Sequence, residues 1–237
     1  AVQVAEAPSV AVITTGDELG KPGEPLTSAQ IYDSNGPMLL AQARLAGAGL
    51  PLRLHARDTT ESLAKALEEV RDFDIVVLTG GVSMGRYDLV PGAVQKAGGR
   101  QVFHKVRQKP GKPIFFAVRH GQLVFGLPGT PLGSHFGFHR FVAAAIRQLH
   151  GRDPTREQRQ GTLTGPLELR GKRTLFRLAR ARREDGAWFL DPLPWRGSSD
   201  LCGPSLSNCY VRFPPGDTKL VQGDELVFEL IDGLEYR

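Results

Sequence analysis

Cysteine is nearly absent: Cys202 and Cys209 are the only two in 237 residues, too few for a disulfide framework or a four-thiolate zinc site. Both are expected to be small buried hydrophobes in a reducing cytoplasm. No apolar run approaches the ~18–20 residues of a membrane span, which excludes a transmembrane helix, and no basic-then-apolar leader is visible. Strong charge of one sign is missing as well. Thirty Lys and Arg against 25 Asp and Glu give a formal +5, and no stretch concentrates that surplus into the basic, aromatic-studded face of a nucleic-acid binder. A mild surplus of this kind suits a small anionic ligand. Repeats and low-complexity tracts are also lacking. With 41% apolar and 23% charged residues, the chain reads as globular, cytoplasmic, and without nucleic-acid or membrane partners.

What is present alternates. "SVAVITT" (9–15) is a β-rich run that ends in the loop "GDELGKPGEPL". Asn35, Gly36 and Pro37 supply cap and first-turn signals for a helix with Leu39, Leu40, Ala43 and Ala46 along one face. "LPLRLHA" (50–56) alternates with the period of a strand, and Thr59 and Thr60 open a helix carrying Leu63, Ala66, Leu67 and Val70. "DIVVLTGG" (74–81) is the unbroken apolar strand of a parallel sheet buried on both faces. A short helix over about 89–97, strands in "QVFHKV", "PIFFAV" and "LVFGLP", and a helix over about 134–149 follow. The last two strands are joined by the turn Arg119–His120–Gly121–Gln122. This order predicts an α/β domain over residues 1–152, a doubly wound, mostly parallel sheet flanked by helices. After the polar linker "HGRDPTREQRQ", glycine and proline recur and only short alternating runs appear. They predict a small all-β domain, a barrel or sandwich, over residues 153–237.

In a doubly wound sheet the ligand sits at the carboxyl ends of the strands. Three loops have that position: "TTGDELG", "TGGVSMGRYD" and "GLPGTP". In the second, Gly80 and Gly81 let the backbone turn sharply and approach a ligand, and Ser83 adds a hydroxyl. Asp88 at its end reads either as a cation ligand or as a helix cap. Thr15, Asp17 and Glu18 follow the first strand, and Asp58 ends the second. Glu18, Asp58 and Asp88 are thereby expected on one sheet edge. "KPGKP" (109–113) holds Lys109 and Lys112 three apart between prolines, which suits an oxyanion placed between two cations, although solvated lysines fit the same pattern. Three acids near two lysines suit a cation-assisted reaction on an oxyanion or phosphate ester. No G-x-x-x-x-G-K-[ST] loop exists. His135 and His139 have i, i+4 spacing but lack the adjoining Glu of a metalloprotease, and read as an exposed or partly packed pair. Arg177 lies in an arginine-rich run from which it can reach an anion at a domain border.

In this order, "VITTGDEL", "IYDSN", "LTGGVSMGRYD", "KPGKP" and "GLPGTP", followed by "GSSD" and "SNCYV", resemble the molybdopterin molybdenumtransferases. These are the molybdenum insertases of molybdenum-cofactor biosynthesis, related to the E domain of gephyrin, and the likeness spans about residues 10–230. The resemblance implies an enzyme that inserts molybdate into adenylylated molybdopterin and releases AMP, with Mg2+ as cofactor. It implies catalytic roles for Glu18, Asp58 and Asp88, with Asp88 and Glu18 also as metal ligands. Substrate-binding roles fall to Thr15, Gly80, Gly81, Ser83, Lys109, Lys112, Gly129, Pro131, Arg177 and Ser198, with the two lysines on the molybdate side. The implied partners are adenylylated molybdopterin, molybdate, a second copy of the chain in a homodimer, and a molybdopterin adenylyltransferase as a candidate.

Three departures stand out. The family loop usually reads "GLPGNPVS", whereas Thr130, Leu132 and Gly133 occupy the Asn, Val and Ser positions here. Loss of the Ser hydroxyl removes an oxyanion contact that Ser134 either replaces or does not. Gln108 stands where the family commonly has an apolar residue. Family members also carry two domains ahead of the "VITTGDEL" strand that complete the active site across a dimer, so the chain is expected to be either an excised piece or a short homologue. A molybdopterin adenylyltransferase-like enzyme and a non-catalytic binding or scaffolding module are the competing readings. Against the first of these stands "TGGVSMG", where that relative typically has "TGGTG".

Overall fold

In the computed structural model, which describes residues 2, 4–82 and 89–233, β-branched apolar runs form the centre of a six-stranded sheet. Strand β1 (Val10–Thr15) is buried along its whole length. The two-residue strands β2 (Leu19–Gly20) and β3 (Ile31–Tyr32) pair in parallel within the loop beyond it. Helix α1 (Asn35–Leu45) starts where Asp33 Oδ1 accepts the Gly36 N–H at 2.9 Å, so its capping oxygen comes from two residues before the expected Asn35. Strand β4 (Leu52–Ala56) leads into α2 (Thr60–Glu69), which the Thr59 side chain caps by accepting from the Ser62 N–H. Strand β5 (Ile75–Thr79) is followed by α3 (Leu89–Lys96), β6 (Arg100–His104), β7 (Gln108–Lys109), β8 (Phe115–Arg119) and β9 (Gln122–Leu127). The β8–β9 turn has positive φ at His120 (+49°) and Gly121 (+87°), as a two-residue turn with the right-handed strand twist requires. The expected helix after β9 starts three residues early, as α4 (Pro131–Gly137), and continues through a π-helical turn (Phe138–Val142) into α5 (Ala143–Leu149).

The sheet order is β4-β1-β5-β9-β8-β6; the first four strands are parallel and β8 is antiparallel to both neighbours. Alternate residues of one strand feed two cores. Ala11 and Ile13 face Leu63 and Leu67 of α2 and Val90 and Val94 of α3. Val10 and Val12 face Leu39 and Ala43 of α1 and Phe138, Val142 and Ile146 of the last helical run. Both faces are covered, which is why β1 and β5 read as continuous apolar runs rather than as alternating ones.

The remaining strands are β10 (Arg159–Leu163), β11 (Leu167–Leu169), β12 (Thr174–Glu184), β13 (Ala187–Pro192), β14 (Cys209–Phe213), β15 (Thr218–Leu220) and β16 (Glu225–Leu230), with the short helix α6 (Cys202–Leu206) before β14. They run in the order β13-β10-β16-β14-β12, and β12 pairs back onto β13 to close a five-stranded barrel. The expected fold class is the one observed: a mostly parallel sheet flanked by helices, and a small barrel. Strand β7 departs from the expectation. Although it lies among the α/β elements in sequence, it joins the barrel by pairing in parallel with β12. Leu132 and Phe136 of α4 pack with Phe176, Leu178, Tyr210 and Ile231 in a cluster that joins the two parts. The cysteine expectation holds for one residue only. Cys209 is buried, and burial pushes its thiol up to about 12, whereas Cys202 is exposed on α6. Among the described residues no helix is long and apolar enough to cross a membrane.

Candidate functional site

Strand register sets the geometry of the sheet edge. Thr15 pairs with Ala56, Thr14 with Thr79, and Thr79 with Leu127, so the loops after β1, β4, β5 and β9 leave side by side. Strand β5 exits through Gly80 (φ +99°) and Gly81 (φ +59°). A Cβ at Gly80 would lie 2.6 Å from both the carbonyl and hydroxyl oxygens of Thr15, and one at Gly129 would lie 3.5 Å from the Gly80 Cα. The expected residues Thr15, Gly80 and Gly129 are therefore packed backbone against backbone. Pro131, two residues after Gly129, opens α4.

Asn35 ties these loops together, a role the sequence did not reveal because "SNGP" reads as a cap. Its amide donates to Thr79 Oγ1 (3.1 Å) and to the Gly129 carbonyl (2.8 Å). Two polar atoms at this junction, Thr15 Oγ1 and Asn35 Oδ1, are buried with no hydrogen-bond partner among the described residues. Orphaned buried polar atoms cost about 1–3 kcal/mol each, so among the described residues these two are left open to a polar partner. Ser83 and Asp88 belong to residues 83–88, which lie outside the described residues.

The departures in "GLPGTPLG" fit one another. Ser134 is fully buried, with its hydroxyl 2.8 Å from Thr79 Oγ1 and bonded to the Pro128 carbonyl. Its hydroxyl is thus bonded inside the loop. Gly133 leaves room for Thr130, whose hydroxyl would sit 2.7 Å from a Cβ there. Gln108 is buried and donates to the Gly111 carbonyl at 3.4 Å, bracing "KPGKP" from within.

Glu18 is exposed and folds back over Gly16 (φ +148°), where a Cβ would meet its carboxylate at 2.6 Å. Asp58 is half-buried two residues beyond the end of β4. These two acids follow paired strands at one edge; among the described residues no three His, Cys, Asp or Glu gather as a metal site. Lys112 is exposed, and its carbonyl accepts the Val106 N–H. Lys109 has a different companion from the one the spacing suggested. Its Nζ lies 4.8 Å from the centre of the Trp195 ring, and the Arg177 guanidinium lies 5.3 Å from the same centre. Burial pushes the Arg177 pKa below its ordinary value. The carbonyl of exposed Ser198 accepts the Leu132 N–H at 3.1 Å, which fixes "GSSD" against the start of α4.

A family model described as a probable molybdopterin binding domain matches residues 11–148. This chain belongs to the molybdopterin-binding domain family. The molybdopterin molybdenumtransferase of Bacillus subtilis is 32% identical over 218 residues, 91% of this chain and 50% of the relative. That of Staphylococcus aureus strain Mu50 is 31% identical over 217 residues, 91% of this chain and 52% of the relative. The chain thus spans about half the length of these curated relatives. A crystal structure of the molybdopterin biosynthesis moea protein from Pyrococcus horikosii superposes with a TM-score of 0.80 at 29% identity, covering 96% of this chain and 55% of that one.

In this molybdopterin-binding domain an open groove of about 670 Å³ lies away from the strand ends, between α5 and the barrel. Three of its four arginines are already paired, Arg147 and Arg156 with Asp232 and Arg159 with Glu157. Those arginines are thus committed to ion pairs, unlike the two unpartnered polar atoms of the loop junction.

The histidine pair is a correction. His135 and His139 are buried at 5% and 2% exposure, not exposed or partly packed. His135 Nδ1 bonds the Tyr210 hydroxyl at 2.7 Å, and His139 Nε2 is 3.9 Å from Glu229, which Arg140 grips at 2.8 and 3.0 Å. Burial pushes His135 down to about 4. Burial, then the charges of Arg156, His135, Arg140 and Arg147, hold His139 well below its ordinary value. Both folded values lie below the unfolded 6.5, so the unfolded chain takes up protons first as pH falls. The contribution of His135 to stability is complete above pH 6.5 and is lost towards about pH 4, by about 1.4 kcal/mol per pH unit, and that of His139 is lost in the same direction as pH falls. Urea midpoints between pH 7 and 5 should fall accordingly, and His135→Gln should reduce the slope by about half.

Proposed function

We propose that this molybdopterin-binding domain inserts molybdate into adenylylated molybdopterin with release of AMP, as a molybdopterin molybdenumtransferase. The observation that carries the reading is the junction of the loops after β1, β5 and β9, with two unsatisfied buried polar atoms, joined through α4 to the Lys109–Arg177 pair. The chemistry requires that combination. The substrate carries a pyrophosphate and a polar pterin, and molybdate is a dianion. Glycine backbones that approach closely suit the first, and fixed cations suit the second.

In this reading Thr15 and Asn35 present a hydroxyl and an amide oxygen to the substrate, and the Gly80–Gly81 turn admits its phosphates. Lys109 and Arg177 orient the oxyanion at the dithiolene, with Ser198 and Lys112 at the rim. Glu18 and Asp58 are hard oxygen donors on adjacent loops, a donor set that fits Mg2+. When bound, Mg2+ would supply charge neutralisation at the pyrophosphate; Glu18 would hold it together with Asp88, which lies outside the described residues, and Asp58 would assist cleavage. A homodimer and a molybdopterin adenylyltransferase that hands over the substrate complete the proposal.

Incubation with adenylylated molybdopterin, molybdate and Mg2+ is expected to release AMP in a molybdate-dependent manner. Lys109→Ala should slow release at least about tenfold, the kinetic equivalent of one lost charge-assisted contact. Consumption of ATP to make adenylylated molybdopterin would overturn the assignment in favour of an adenylyltransferase. Substrate binding with no AMP release from any mixture would leave only a binding module.

A further inference from the structure

We propose that Trp195, which no motif singles out, is a positioning residue of the oxyanion subsite. Its ring holds the Lys109 ammonium and the Arg177 guanidinium in place as a charged pair for a tetrahedral oxyanion. This inference rests on the functional reading above and deepens it.

Lys109 pairs with Leu175 in register, two residues before Arg177 on β12, so backbone pairing already brings the two cations together. They repel each other, and among the described residues neither is in an ion pair with a carboxylate. The partner they share is aromatic: Nζ stands 4.8 Å and the guanidinium carbon 5.3 Å from the centre of one indole ring. The negative face of a ring attracts cations without neutralising them. A carboxylate in the same place would also hold both groups, but it would cancel their charge and repel an incoming anion. Trp195 leaves both charges available.

The ring is itself fixed to the strand-end site. It packs against the junction cluster that contains Leu132, Phe136, Phe176 and Leu178. On one side, the Leu193 carbonyl accepts from Arg177 at 3.1 Å. On the other, the Ser198 carbonyl takes the Leu132 N–H at the start of the helix that follows Gly129. Trp195 thus connects the cation pair to the loop packed on Gly80.

The chain has only two tryptophans, which makes the test direct. In Trp188→Phe, Trp195 is the sole indole, and molybdate should change its emission saturably. By calorimetry Trp195→Leu should weaken molybdate binding about tenfold, as should Lys109→Ala. Trp195→Phe, which keeps a ring face, should recover affinity to within about threefold. The double variant of Trp195→Leu and Lys109→Ala should lose little more than either alone, because the residues act as one unit. Wild-type affinity in Trp195→Leu, with binding lost in Lys109→Ala, overturns the role of Trp195 and leaves the functional reading standing. Absence of molybdate binding to the wild-type chain overturns both. Should Trp195→Leu fail to fold, calorimetric binding in Trp188→Phe without any emission change overturns the inference by itself.

Discussion

Gly80→Ala is expected to cost about 2–4 kcal/mol and to abolish binding of adenylylated molybdopterin. The φ of +99° places the residue where an L side chain is strained, and the added methyl would sit 2.6 Å from the Thr15 carbonyl and hydroxyl. The carbonyl belongs to the last residue of β1, which is held in register with Ala56 of β4 and has little room to swing aside. Relief must come from parting the β1 and β5 loops, which are the loops that form the junction. Gly92→Ala is the matched control. It lies in α3, meets nothing within 4 Å, and should leave binding unchanged while stabilising by about 0.5–1 kcal/mol. Urea denaturation of the two variants beside a calorimetric titration separates the fold effect from the site effect.

Phe136→Ala should cost about 3–5 kcal/mol, the range for truncating a fully buried aromatic ring. The ring centre lies 4.6 Å from that of Phe176 and 4.9 Å from that of Tyr210, so the cavity opens where α4 meets the barrel. It also reaches the oxyanion side, because Gly111 of "KPGKP" packs on the ring at 3.4 Å from where its Cβ would be. Molybdate affinity should fall together with stability. Phe136→Leu, which refills most of the volume, should lose less of both. A thermal or urea midpoint for each variant, with a molybdate titration, checks the pair of effects.

Much of the fold was legible because its signals are local. The unbroken run of β5, the Thr59 cap and the Gly121 turn each depend on residues within one element or one turn. Strand β7 was not legible. It is two residues between a loop and a proline, and its pairing partner is β12, 66 residues away in register. The site followed the same division. The close backbone approach at Gly80 and Gly129 was readable, since glycine at a strand end has few purposes. Asn35 was read as a cap because it precedes Gly-Pro, while Asp33 supplies the capping oxygen. Trp195 carries no local signal at all, and its meaning depends on two cations from separate strands. Burial of His135 and His139 is likewise imposed from a distance, by Tyr210 and Glu229 of the barrel.

Hydrogen exchange of the chain with and without adenylylated molybdopterin tests the placement of the site most directly. Slowed exchange confined to amides around residues 15–19, 79–82 and 128–132, extending to 106–112 and 195–198 when molybdate is added, is the expected result. Protection of residues 147–159 and 183–188 around the arginine-lined groove, with the strand-end loops unchanged, would contradict it.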